Sequence, residues 1–172
     1  TKAEQRLPKF QDFTKKLAKS LEIAPEKQPT AGEKKEPLVL DASTDPPTYF
    51  KTVTFAPLKG RTRSEEKVKN EYGGDASRLG DVIRCSVVVE TEEELNNVAK
   101  FLQDAGVVLR LKNRFKDPLW NGYRDALYNI KVDGFVCELQ LHLTHVLAFK
   151  EESHHYYEFF RTFFSGNVDA CK

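Results

Sequence analysis

The sequence predicts an α/β sandwich, a mixed sheet of four to five strands with flanking helices, on three observations. Two alternating runs, 124–132 and 135–143, are separated only by Asp133-Gly134, the pair that supplies the positive φ angles of a two-residue hairpin turn. A β-branched run from Asp81 to Val89 leads into a helical pattern and then a second strand-like run, Val107 to Phe115, which makes a βαβ unit with parallel strands. Helical segments at both ends supply the layer that covers the sheet.

In chain order, Leu7, Phe10, Phe13, Leu17 and Leu21 recur at intervals of three and four with lysines between them, so residues 1–23 read as an amphipathic helix that docks on the main body. Five of the eight prolines fall between Ala24 and Pro47, where no helical or strand period survives, and 24–47 reads as a surface linker. The main domain is placed at 48–165 and a tail at 166–172. Within the domain, Tyr49 to Phe55 reads as one short strand ended by Pro57. The segment from Leu58 to Gly74 has the polar start and glycine stop of a helix, anchored by Val68 and Tyr72. Thr91 caps the next helix with Glu94 three residues on, and Leu95, Val98, Ala99 and Leu102 form its buried stripe. On the strand after Gly106, Leu109 and Leu111 alternate with Arg110, Lys112 and Arg114, so one face is apolar and the other cationic. Thr144 opens a last helix to about Phe164.

Net charge is +1, so no global field draws the chain to nucleic acid or an anionic membrane, and phosphate binding has to come from local clusters. No apolar run approaches a bilayer span, and the chain is expected in a cytoplasm. Of three cysteines, Cys85 and Cys137 fall in strands as small core residues, and all three are read as free thiols of a reducing compartment. The chain contains no methionine, so Thr1 is expected to mark a boundary within a longer protein. His142, His145, His154 and His155 lack the Cys/His spacing of a zinc site. Trp120 reads as a loop anchor, and the aromatics from Tyr156 to Phe164 as core or interface.

The second hairpin strand puts Cys137, Leu139, Leu141 and Leu143 on one face and Glu138, Gln140 and His142 on the other, because side chains alternate with a period of two. The polar row is either a solvated face or a site. Lys59, Arg63 and Lys67 recur every four residues, either as a solvated helix face or as cations beside a helix N-terminus, which suits a triphosphate. Asp81 and Glu138 could share a hard cation such as Mg²⁺, which takes one or two carboxylates and completes its shell with phosphates. They could equally be a surface acid and a partner of Arg110 or Lys112.

The run from Lys112 through Asp117-Pro118 to Asn121-Gly122-Tyr123-Arg124, followed by Glu138-Leu-Gln140-Leu, resembles the signature of RelA/SpoT-like synthetase domains. Asp81 falls at the aspartate of that family's D-x-x-G strand, and His154 with Tyr157 resembles its H-x-x-Y helix. The resemblance covers about residues 55–162 and implies a nucleotidyltransferase-like fold. It also implies transfer of pyrophosphate from ATP to the ribose 3′-hydroxyl of a purine nucleotide, with Mg²⁺ on Asp81 and Glu138.

On that analogy Tyr123 stacks on the acceptor base, Gln140 orients the hydroxyl, and Lys59, Arg61, Arg63 and Lys67 brace the donor phosphates. Arg110, Lys112, Arg124, His142 and His154 complete the substrate site. The sequence departs from the family at Asp125-Ala-Leu127, where Ser-x-His is usual, at Arg84 in place of glycine, at Asn113 in place of the KDY acid, and at Arg63 in place of lysine. It resembles the divergent GYRD and E-x-Q-L-H-L members found within larger proteins. Such members leave two other functions open: an inactive nucleotide-binding or protein-interaction module, and a transferase directed at a tRNA end.

Overall fold

The computed structural model describes residues 1–22, 39–41, 48–49, 52–119 and 121–147. Its elements in order are α1 (Lys2–Ser20), β1 (Val39–Asp41), β2 (Thr48–Tyr49), β3 (Thr52–Phe55), α2 (Arg61–Glu71), β4 (Arg84–Val89), α3 (Glu92–Asp104), β5 (Val108–Asn113), β6 (Ala126–Val132), β7 (Phe135–Leu143) and α4 (Thr144–Leu147). A single 3₁₀ turn, Ala76–Arg78, lies between α2 and β4.

Five strands make one mixed sheet in the order β3-β4-β7-β6-β5. The hairpin forms as its turn pair dictates: Asp133 has φ 49° and Gly134 φ 78°, which locks Val132 opposite Phe135 and sets every register behind it. β4 pairs in parallel with β7, while β6 is antiparallel to both β7 and β5. β4 and β5 therefore run parallel, as the βαβ reading requires, but the hairpin stands between them.

One face of the sheet is the core. Cys85, Val87, Val89, Ile130, Cys137, Leu139 and Leu141 pack there with Phe10 and Leu17 of α1 and Val98 and Leu102 of α3. Fully burying an aliphatic or aromatic side chain of this size stabilises by about 1.5–3 kcal/mol, so the two helices are held mainly by these contacts. Phe10 meets Phe55 edge-on at 6.2 Å between centroids and Phe13 meets Phe101 at 5.7 Å, which ties α1 to β3 and to α3. Both α1 and α3 begin with a reciprocal capping box, Thr1 with Glu4 and Thr91 with Glu94. Cys85 and Cys137 are buried free thiols; burial lifts Cys85 well above the ordinary thiol range and pushes Cys137 up to about 12.

Several boundaries differ from expectation. The run from Tyr49 to Phe55 is two strands in different sheets, and β2 pairs with β1, a strand inside the segment expected to carry none. β4 begins at Arg84 because the chain bends at Val82 and Ile83, which leaves Asp81 ahead of the strand. β5 stops at Asn113, whose Oδ1 accepts from the Phe115 and Lys116 amides at 3.1 and 3.2 Å and turns the chain. Because β5 is an edge strand, its apolar residues Leu109 and Leu111 are exposed. α2 starts only at Arg61, so Lys59 precedes the helix rather than sharing a face with Arg63 and Lys67. The expected continuation of the last helix to Phe164, with His154, His155, Tyr157, Trp120 and Cys171, lies outside the described residues. Among the described residues no helix is long and apolar enough to cross a membrane.

Candidate functional site

Residues paired across strands point to the same side, so the registers lay side chains in rows on the face turned away from α1 and α3. One row is Arg110, Asn129, Glu138 and Arg84. The next is Lys112, Leu127, Gln140, Ser86 and Thr54. A third holds His142, Val88 and Thr52, with Arg114 and Asp125 at its far end. The cationic face of β5 and the polar face of β7 are thus one surface. Glu138 and His142 are nonetheless buried on it.

Asp81 enters this surface from the bend before β4. Gly80 beside it packs so closely on the β6–β7 hairpin that a Cβ there would stand 3.0 Å from Asn129 Nδ2 and 3.1 Å from Val136 Cγ1. Asn129 is the cross-strand neighbour of Glu138, so the loop that carries Asp81 and the strand that carries Glu138 meet at one end of the sheet. Lys59 and Lys67 each donate to Asp81 Oδ2 over 2.7 Å. Oδ1 of the same carboxylate is buried and has no hydrogen-bond partner among the described residues. Burial pushes the Asp81 carboxyl up, but the two lysine bonds outweigh it and hold the group below the usual carboxylate range. Burial likewise opposes the charge on Lys67, and the Asp81 contact prevails and raises it.

On the sheet, Glu138 Oε1 accepts from Gln140 Nε2 at 2.7 Å. Burial depresses the Lys112 ammonium, Arg110, Arg114 and Lys67 depress it further, and Glu138 partly offsets them. Lys112 therefore senses both Lys67 on α2 and Glu138 on β7, which places the helix and the sheet cations in one electrostatic neighbourhood.

The loop before β6 places Tyr123. Gly122 takes φ 78°, Asn121 Oδ1 accepts from the Tyr123 amide at 3.2 Å, and the Leu119 amide donates to the Tyr123 carbonyl at 3.1 Å. The Tyr123 hydroxyl lies 2.9 Å from His142 Nδ1, and burial raises its ionisation well above the ordinary phenol range. Arg114 reaches both oxygens of buried Asp125, at 2.9 and 3.2 Å.

The structure thus groups Lys59 and Lys67 with Asp81, Gln140 with Glu138 and Tyr123 with His142, and sets Arg110 and Lys112 on the same sheet face as Glu138 and Gln140. Arg61 pairs instead with Glu65 on an exposed turn, Arg63 is exposed on α2, and Arg124 donates to the Phe115 carbonyl at 2.6 Å. His154 lies outside the described residues. Sequence reasoning missed Arg84 and Asn129 as members of the surface, and the pairing of Arg114 with Asp125. Arg84 was legible from the period-two pattern of its strand, in step with Ser86. Asn129 required the register. Among the described residues no three His, Cys, Asp or Glu side chains converge as a metal cage.

No family model matches the chain. Over 99 residues, or 58% of this chain, it is 30% identical to the (p)ppApp synthetase toxin Tas1 of Pseudomonas aeruginosa, and it spans only 22% of that protein's length. Among solved structures, it is similar to the small alarmone synthetase 1 of Bacillus subtilis bound to its product pppGpp, with TM-score 0.60 and 13% identity over 92% of this chain and 78% of that one. A GTP pyrophosphokinase family protein from Streptococcus pneumoniae gives TM-score 0.57 and 14% identity over 93% and 73%. The small alarmone synthetase 2 of Bacillus subtilis gives TM-score 0.55 and 15% identity over 64% of each chain.

Proposed function

We propose that this protein, which has the nucleotidyltransferase-like fold of the small alarmone synthetases, transfers pyrophosphate from ATP to the ribose 3′-hydroxyl of an adenine nucleotide. The observation that supports the reading is that the loop carrying Asp81 packs, through Gly80, on Asn129, the cross-strand neighbour of Glu138, on a sheet face that also carries Arg110 and Lys112. The choice of adenine over guanine rests on the (p)ppApp synthetase relative.

Asp81 and Glu138 would hold Mg²⁺, and the buried, unpartnered Asp81 Oδ1 fits that role because a hard cation is drawn to an unshared lone pair on a carboxylate oxygen. When bound, the ion supplies charge neutralisation at the phosphates and a lowered pKa for the acceptor hydroxyl. The protein's own share is positioning. Lys59 and Lys67, held in place by Asp81, brace the donor triphosphate, and Arg61 and Arg63 join them from the N-terminus of α2. The transferred group carries its charge on equatorial oxygens, so fixed cations around it lower the barrier without rearrangement.

On the acceptor side Tyr123 offers its ring to the base, held by the hydroxyl contact to His142. Lys112, Arg110 and Arg124 neutralise the acceptor phosphates, and His154 joins them on the family analogy. Gln140, tied to Glu138 through its amide nitrogen, orients the 3′-hydroxyl through its carbonyl oxygen. The hydroxyl oxygen would attack the β-phosphorus as its proton is released to solvent, the bridge between the α- and β-phosphates would break, and AMP would leave with the bridging oxygen. Such a reaction on soluble nucleotides is work for a cytoplasm.

One observation favours a second reading, a nucleotide-binding module without turnover: the two lysines already neutralise Asp81 through Oδ2. Incubation with ATP, Mg²⁺ and nucleotide acceptors separates the two. An enzyme yields a 3′-pyrophosphorylated product, and a binding module yields none.

A further inference from the structure

Among the described residues, two buried side-chain atoms lack a hydrogen-bond partner, and both belong to the same short stretch: Oδ1 of Asp81 and Nε of Arg84. One is an acceptor and the other a donor. Arg84 points to the functional face, in the row it shares with Glu138. Its Nη2 makes only a long contact, 3.4 Å, with the Pro57 carbonyl. The same segment supplies Lys59 to Asp81, and its backbone is fixed to the β4 side by the Lys59 amide on the Val82 carbonyl and the Ala56 amide on the Arg84 carbonyl, each at 3.1 Å. The 56–59 segment therefore braces both open groups while satisfying neither in full.

A buried guanidinium nitrogen without an acceptor lowers stability, and an arriving ligand oxygen would relieve that cost. A ligand that satisfies a bare carboxylate oxygen and a bare guanidinium N–H together has to bring a cation and an anionic oxygen at once. A metal-chelated polyphosphate does this, and the planar fork of arginine matches its oxygens.

We infer that Arg84 is a direct ligand of the donor's β- and γ-phosphates, engaging them through Nε and one Nη beside the metal held by Asp81. The inference rests on the pyrophosphoryl-transfer reading and deepens it. It also turns the replacement of glycine by arginine from a loss of family character into an added phosphate contact.

The test measures binding of Mg²⁺ with α,β-methylene-ATP, which cannot undergo the transfer, by calorimetry on the wild-type chain and on Arg84→Met and Arg84→Lys, with thermal unfolding of each protein alone. Arg84→Met should weaken binding of the analogue by about tenfold or more, the loss expected for one charge-assisted pair, while AMP binding changes little. Arg84→Lys should fall between, since it keeps the charge and loses the fork. Unfolding temperature should hold or rise in Arg84→Met, because an unsatisfied buried donor has gone. Equal binding of the analogue by wild type and Arg84→Met would overturn the inference and leave the broader reading standing. So would a weakened Arg84→Met that also unfolds at a lower temperature and is rescued fully by Arg84→Lys, since that describes a strut for the 56–59 segment. A wild-type chain that does not bind the analogue would overturn both.

Discussion

Lys67 of α2 donates to Asp81 Oδ2 over 2.7 Å, the same oxygen that Lys59 reaches from before the helix. Both ends of the contact are mostly buried, with 20% and 12% of the side chains exposed, so little solvent screening weakens it. The pair pins α2 to the sheet, since no residue of α2 is fully buried and the helix has no apolar stripe to hold it.

Asp81→Asn therefore tests what holds α2 as well as the chemistry. The folded-state pKa of Asp81 lies below its unfolded value, so its contribution is present above about pH 3.9 and is lost as pH falls through the lower folded value. Lys67 is raised, so its contribution is present below about pH 10.4 and is lost as pH rises through the higher folded value. Between those limits Asp81→Asn should cost on the order of 2 kcal/mol in urea unfolding, and the two curves should converge in acid. Parallel pH profiles would show that Asp81 contributes nothing through its charge.

Tyr123 should act through its ring, with its hydroxyl serving only to hold that ring. Tyr123→Phe removes the 2.9 Å contact to His142 and should cost about 1 kcal/mol of stability with a small rise in acceptor KM. Tyr123→Ala should raise acceptor KM by about tenfold or more, the worth of one stacked base, with the KM for ATP nearly unchanged. Steady-state kinetics with each substrate varied in turn checks this, and equal effects of the two variants would remove the stacking role.

Asp125 stands where the RelA/SpoT-like signature that the chain resembles has serine, and it pairs with Arg114. Asp125 is 3% exposed and occupied by Arg114, so Arg114 is spent on structure and, on the proposed reading, leaves Arg110 and Lys112 for the substrate. Asp125→Ser should destabilise by about 2 kcal/mol because it strands a partly buried guanidinium, and the double variant with Arg114→Met should recover much of that loss. Urea unfolding of the three variants measures it, and a simple sum of the single effects would contradict the pairing.

Where the sequence alone was enough, local rules were decisive. The Asp133-Gly134 turn, the Thr91–Glu94 capping box and the alternation of Cys137, Leu139 and Leu141 each depend on residues a few positions apart, and each is found in the structure. What escaped depended on partners distant in sequence. The place of β5 at the sheet edge, which exposes Leu109 and Leu111, follows from the hairpin filling the centre. The contact of Gly80 with Asn129, which joins Asp81 to the strand of Glu138, spans 49 residues and leaves no periodic trace. Lys59 and Lys67 were legible as cations, but their shared oxygen on Asp81 was not, since Lys59 lies outside the helix whose period suggested them.

If Asp81 and Glu138 serve pyrophosphoryl transfer as proposed, label can be followed from ATP carrying ³²P in its β- and γ-phosphates. The chain is incubated with Mg²⁺ and, in separate reactions, AMP, ADP, GDP, GTP and deacylated tRNA, and the products are separated by chromatography. Label should pass to AMP or ADP with unlabelled AMP released from the donor, and Glu138→Gln should abolish transfer while unfolding as the wild type does, because a carboxamide keeps the shape but is a poor ligand for a hard cation. Label that stays on ATP with every acceptor, from a folded protein that binds the nucleotide, would contradict the account.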